Sequence, residues 1–153
     1  MKTIQLFIIA LFISISQFAS AQTAPIDDKG LAIGGYDVVA YHTLKKAVKG
    51  DVHLSTVYKG GTYWFSSKNN KKVFEKNPSQ YLPQYDGYCA WGVGAKNTKF
   101  PINPETFKIV DGKLYLFFNG DFNGTQFNTL TPWNAEEASL LKAANANWML
   151  LKK

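Results

Sequence analysis

Two stretches of the chain alternate bulky and polar positions around a glycine-bearing turn. Thr56-Val57-Tyr58 and Thr62-Tyr63-Trp64-Phe65 flank Lys59-Gly60-Gly61. β-Branched and aromatic runs separated in this way predict a hairpin. Period-two alternation places Tyr63 and Phe65 on one face and Trp64 on the other. A second hairpin is predicted for Phe107–Val110 and Lys113–Phe118 around Asp111-Gly112, a dipeptide that tolerates the positive φ angles of a type I′ turn. The short run Asp37–His42 also reads as a strand. Gly34 and Gly35 just before it suggest a close approach of backbone.

Helical spacing takes over elsewhere. A short helix is predicted after the first hairpin, capped by the hydroxyl of Ser66 or Ser67, with Val73 and Phe74 facing inward. Asn77-Pro78 ends it, because a residue before proline avoids the helical region. Thr131-Pro132 predicts the start of the last helix: threonine as cap, proline in the first position, and Glu136 and Glu137 near the positive dipole end. Trp133, Leu140 or Leu141, Ala144 and Trp148 then recur at helical spacing. Tyr85–Gly92 is open between a turn, a short helix and an extended piece. The expected class is α+β: a small antiparallel hairpin sheet, a short inserted helix and a C-terminal helix.

The amino terminus reads as an address. Lys2 precedes an apolar run from Leu6 to Phe18, and Ala19-Ser20-Ala21 is a small-x-small cleavage site. Residues 1–21 are therefore expected to be a cleaved signal peptide. The apolar run is too short for a good membrane span, and no cysteine follows it to carry a lipid anchor. Residues 22–30 read as a flexible lead-in and 31–150 as a single domain. The expected location is periplasmic or secreted, without stable membrane insertion.

Charge and cysteine content narrow the function. The chain carries a net charge of +6, and all of its basic residues are lysines. Without arginine, the bidentate forks that read phosphate and bases are missing. A solvated lysine surface is expected rather than a nucleic-acid partner; an anionic envelope surface or an envelope protein suits it better. Cys89 is the only cysteine, so no internal disulfide supports the fold. A bare exposed thiol on an exported chain would oxidise, which favours burial of Cys89.

The candidate chemistry is correspondingly sparse. Cys89 can serve as a soft-metal ligand, a nucleophile or a small core residue. His42 and His53 are the only histidines. His53 lies in what reads as an exposed loop, and His42 ends the predicted strand. With Met149 and Cys89 they provide the ligand types of a blue-copper site, but the order along the chain argues against that arrangement. A Cys–His nucleophilic pair needs an orienting group such as Asp37. No serine nucleophile elbow, HExxH, phosphate loop or paired-cysteine redox motif is present. The dense aromatics suggest either core packing or a partly open pocket for a small or flat ligand, with Tyr36, Asp37, Tyr41, Tyr88 and Trp91 as lining residues.

Several segments together are similar to one family: Gly35–Tyr41, the block Tyr58–Tyr81, Tyr81–Tyr85, Gly87–Ala90, Val110–Leu116, and Ala144 with Trp148. Over roughly Ile33 to Trp148 the chain resembles the exported, single-domain branch of the YHS family. The resemblance implies an α+β fold and a loose association with copper and other heavy metals. Metal-type members carry a cysteine after the strand aromatic and another four residues on. Here those positions hold Ser66 and Asn70, and an amino-terminal cysteine pair is replaced along Ile33–Asp37. The expectation is a binding module for a metal ion or metal-containing ligand, held by Cys89, His42 and His53. The alternatives are a ligand-free domain that recognises an envelope partner, and a cysteine-dependent enzyme.

Overall fold

The computed structural model describes residues 25–153. The expected signal peptide, residues 1–21, and the first three residues of the lead-in lie outside the described residues. Among the described residues, five α-helices and six strands follow in the order α1 (Val38–Thr43), β1 (Asp51–Tyr58), β2 (Gly61–Phe65), α2 (Lys68–Lys76), α3 (Ala90–Lys96), β3 (Asn103–Val110), β4 (Lys113–Phe117), β5 (Asn119–Phe122), β6 (Thr125–Asn128), α4 (Leu130–Ala135) and α5 (Glu137–Leu151). The fold is α+β. Its strands pair as three separate antiparallel hairpins, β1–β2, β3–β4 and β5–β6, rather than as one sheet. Among the described residues, no helix is long and apolar enough to cross a membrane.

Both predicted hairpins form. Tyr58 pairs with Gly61, and Val110 pairs with Lys113. Asp111 and Gly112 adopt φ of 49° and 72°, as a type I′ turn requires. Tyr63 and Phe65 are buried, while Trp64 is half-buried on the opposite face. Ser67 caps α2, its hydroxyl accepting from the Asn70 N–H at 3.0 Å.

Four expectations are corrected. Asp37–His42 is not a strand; its core is helix α1, because the Asp37 carboxylate accepts from the N–H groups of Val39 and Ala40 at 2.9 and 3.3 Å. That local cap outweighs the strand preference of Val38 and Val39. His53 is exposed but sits in β1, not in a loop. Thr131 is not a cap: α4 already begins at Leu130, whose N–H is received by the Asn128 side chain at 3.0 Å. Glu136, at φ −133°, separates α4 from α5. Finally, from Pro25 on the lead-in is tied down. Ile33 N–H donates to Pro25 O at 2.8 Å, Thr62 N–H donates to Gly30 O at 2.7 Å, and Ile26 bridges to Ala32. The third hairpin, β5–β6, turns at Asn123-Gly124 and was not anticipated.

The interior lies on both sides of one strand. Leu114 and Leu116 of β4, with Phe118 just beyond it, face a core shared with Val38, Val39, Tyr41, Phe65, Phe74 and Cys89. Tyr115 and Phe117 face a second core with Val93, Trp133 and Ala144. Strand alternation normally yields one wet face; here both faces are dry. In the second core α3 lies directly on α5. A Cβ on Gly94 would stand 2.7 Å from the Leu140 carbonyl oxygen, and the Asn147 amide donates to Val93 O at 2.8 Å. Gly94→Ala is therefore expected to cost about 1–3 kcal/mol by forcing the helices apart, read as a lower urea midpoint with an unchanged slope.

Candidate functional site

Asp37 is fully buried, and its carboxylate is saturated with donors. Oδ1 caps α1. Oδ2 accepts from the Ser66 N–H at 2.8 Å, the Ser66 hydroxyl at 2.6 Å and the Asn70 amide at 2.7 Å. The Asn70 amide also reaches Ser66 Oγ at 3.3 Å. Charge-assisted hydrogen bonds of this kind offset the cost of removing a carboxylate from water. The two positions at which metal-type relatives carry cysteine thus converge on one buried anion. Ser66 and Asn70 both serve as donors to it, so the residues present do not fit a thiolate-held ion at this place.

Cys89 is also fully buried and caps α3. Its sulfur receives the N–H groups of Gly92 and Phe118 at 3.5 and 3.4 Å and lies 3.3 Å from Thr129 Oγ1. No imidazole is among these hydrogen-bonding partners, so the structure does not bring Cys89 together with His42 as a nucleophilic pair. Among the described residues, no group of three or more His, Cys, Asp or Glu side chains could hold a metal ion.

Above Thr129 opens a cavity of about 270 Å³, lined by Trp91, Lys96, Phe100, Pro101, Phe118, Phe122, Phe127 and Thr129. Its rings come from four places: α3, the loop after it, the end of β4, and the β5–β6 hairpin. Trp91 stacks on Phe100 at 6.4 Å and 13°, and meets Phe127 edge-on at 5.3 Å. Phe122 closes the outer side at 6.3 Å from Phe100 and 6.2 Å from Phe118. Gly92 makes room for this wall, since a Cβ there would lie 2.6 Å from the Phe100 ring. The Lys96 ammonium stands 5.4 Å over Trp91.

The other anticipated residues are scattered. His42 packs edge-on against Tyr81 at 5.5 Å. Its Nε2 is buried without a hydrogen-bond partner among the described residues. Burial holds the imidazole below its ordinary 6.5; a hydrogen bond with the Tyr81 backbone opposes this, and Lys45 adds to the lowering. Tyr41 is buried and donates to Pro104 O at 2.6 Å, and burial drives its phenol far above the usual range. Tyr36 donates to Glu105 at 2.9 Å beneath Lys49. Tyr88 lines a different cavity of about 380 Å³, with Tyr63, Asp86, Lys59 and Lys99. There Tyr63 is pushed up to about 12, by burial first and then by Asp86. Of the five proposed pocket residues, only Trp91 reaches the aromatic cavity. Phe100, Phe118, Phe122, Phe127 and Lys96 were missed; the Asn123-Gly124 turn between Phe122 and Phe127 was the available signal.

Two measurements test this account. Asp37→Asn turns an amide N–H₂ or a weaker acceptor toward five donors. It is expected to lower stability by about 1.5–3 kcal/mol in denaturant unfolding; an unchanged midpoint would refute the knot. For His42 the sign is set by its lowered folded value. Its contribution to stability is complete above pH 6.5 and is lost as the pH falls from there through that lower value. His42→Gln should flatten the stability profile in this acid window, and a slope identical to wild type would exclude His42 as its source.

No curated protein and no solved structure gives a significant match to this chain. A family model does match, over residues 39–85, from within α1 to the turn before α3. The matched segment is narrower than the resemblance read along Ile33–Trp148, and it contains β1, β2, α2 and both side-chain partners of Asp37, Ser66 and Asn70. Residues 39–85 are thus similar to the YHS domain.

Proposed function

We propose that this protein is an exported binding module that takes a small apolar ligand into the aromatic cavity over Thr129. The carrying observation is the convergence of Trp91, Phe100, Phe118, Phe122 and Phe127 on a single space of about 270 Å³. Concave, largely apolar sites with few polar groups are where small molecules bind, since removing their surface from water supplies the affinity. A cavity of about 150 Å³ accepts benzene, so this one suits a molecule of roughly ten non-hydrogen atoms.

A metal ion was the first expectation for this fold, and Cys89 is its one thiol. The donor set around that sulfur is two backbone N–H groups and a hydroxyl, which suits a packed thiol better than a metal centre. The ligand reading is therefore preferred, with the Asp37 knot as scaffold. An envelope protein could recognise the same face, but the cavity is the better-defined feature.

Titration with phenylpropanol, followed by tryptophan fluorescence, tests the proposal. One saturable equivalent is expected. Phe122 is 48% exposed, so Phe122→Ala should fold normally and weaken binding about three- to tenfold through lost apolar contact. Equimolar Cu(I) in parallel, with wild type and Cys89→Ser, is expected to give no tight Cys89-dependent equivalent. Such an equivalent, with no phenylpropanol binding, would return the protein to metal handling.

A further inference from the structure

The aromatic cavity has one polar handle, and its sign narrows the ligand. We propose that the cavity takes a small hydrophobic monocarboxylate, its apolar body among the rings and its carboxylate on Lys96 at the mouth. This rests on the ligand-binding reading above and adds the chemical class.

Among the lining residues Lys96 carries the only charge, and no acidic side chain lines the space. Lys96 forms no ion pair among the described residues, where the pairs are Lys71–Glu75 and Lys108–Glu137. Its ammonium rests instead 5.4 Å over the Trp91 ring, a placement that holds it beside the cavity while leaving its donors free. Thr129, the other polar lining residue, is already engaged. Its hydroxyl donates to Phe118 O at 3.0 Å, accepts from Phe118 N–H at 3.0 Å and touches the Cys89 sulfur. Among the lining side chains, a ligand's polar end therefore has Lys96 to meet.

Charge then discriminates among ligand classes. Aromatic enclosures often favour cations, but a cationic ligand here would face the Lys96 ammonium. A phosphate dianion would be half neutralised, since one amine without arginine forks or free backbone donors faces it. A neutral ligand gains the rings but leaves the ammonium without an anion. A monocarboxylate gains both, and apolar walls beside the pair lower the local dielectric and strengthen the attraction.

The test compares phenylpropionate, phenylpropanol and phenylpropylammonium on the full chain by calorimetry, in wild type and Lys96→Met. Methionine keeps the apolar stem and removes the charge. In wild type the carboxylate is expected to bind at least tenfold more tightly than the alcohol, and the ammonium more weakly than either. Lys96→Met should erase the carboxylate's advantage over the alcohol. Added salt should weaken only the carboxylate. Equal binding of carboxylate and alcohol to wild type, an unaffected carboxylate in Lys96→Met, or tightest binding by the ammonium would each overturn the inference while leaving the ligand-binding reading in place. Absence of binding by all three would overturn both.

Discussion

A carboxylate with no surface exposure must be fully hydrogen-bonded, and most of the amino-terminal half is arranged around meeting that demand for Asp37. Its two oxygens draw in the first turn of α1, the residue after β2 and the first turn of α2. The backbone N–H of Asp37 is in turn anchored to Val48 O at 2.8 Å, ahead of β1. One side chain therefore fixes the relative positions of a helix, a hairpin and a second helix. With Ser66 and Asn70 spent on this task, the segment that matches the family model acts here as a scaffold, and the aromatic cavity lies elsewhere, beyond the matched residues.

That space arises from competition between close packing and ring geometry. Rings contributed by α3, its following loop, β4 and the β5–β6 hairpin meet at edge-on and stacked angles and leave a gap between them. Interiors are otherwise packed to crystal density. The hairpin bearing Phe122 and Phe127 is the most exposed part of this wall.

Local signals in the sequence were reliable where one residue decides a conformation. Asp111-Gly112 marked its turn, Ser67 its cap and Asn77-Pro78 its helix end. Errors came where a local pattern had two readings. Val38 and Val39 favour a strand in isolation, yet the Asp37 cap makes the segment helical. Thr131-Pro132 has the form of a helix start, but α4 already begins at Leu130, whose N–H donates to the Asn128 side chain. The site was less legible than the fold. Burial of Cys89 follows from its chemistry, whereas the meeting of Trp91 with Phe100 and Phe127 depends on how three elements pack, and no spacing along the chain records it. Asn123-Gly124 alone could have announced the third hairpin and so two of the rings.

β4 has a consequence for how the molecule comes apart. Leu114 and Leu116 belong to one core and Tyr115 to the other, so neither core can release this strand without exposing the other. Each half-core is small, and small cores are marginal when they stand alone. A shared central strand joins them into a single cooperative unit, so amide protons on both sides of β4 are expected to exchange together. The fraying expected of three separate hairpins then falls on β5–β6, the hairpin whose strands are largely exposed and which carries Phe122 and Phe127.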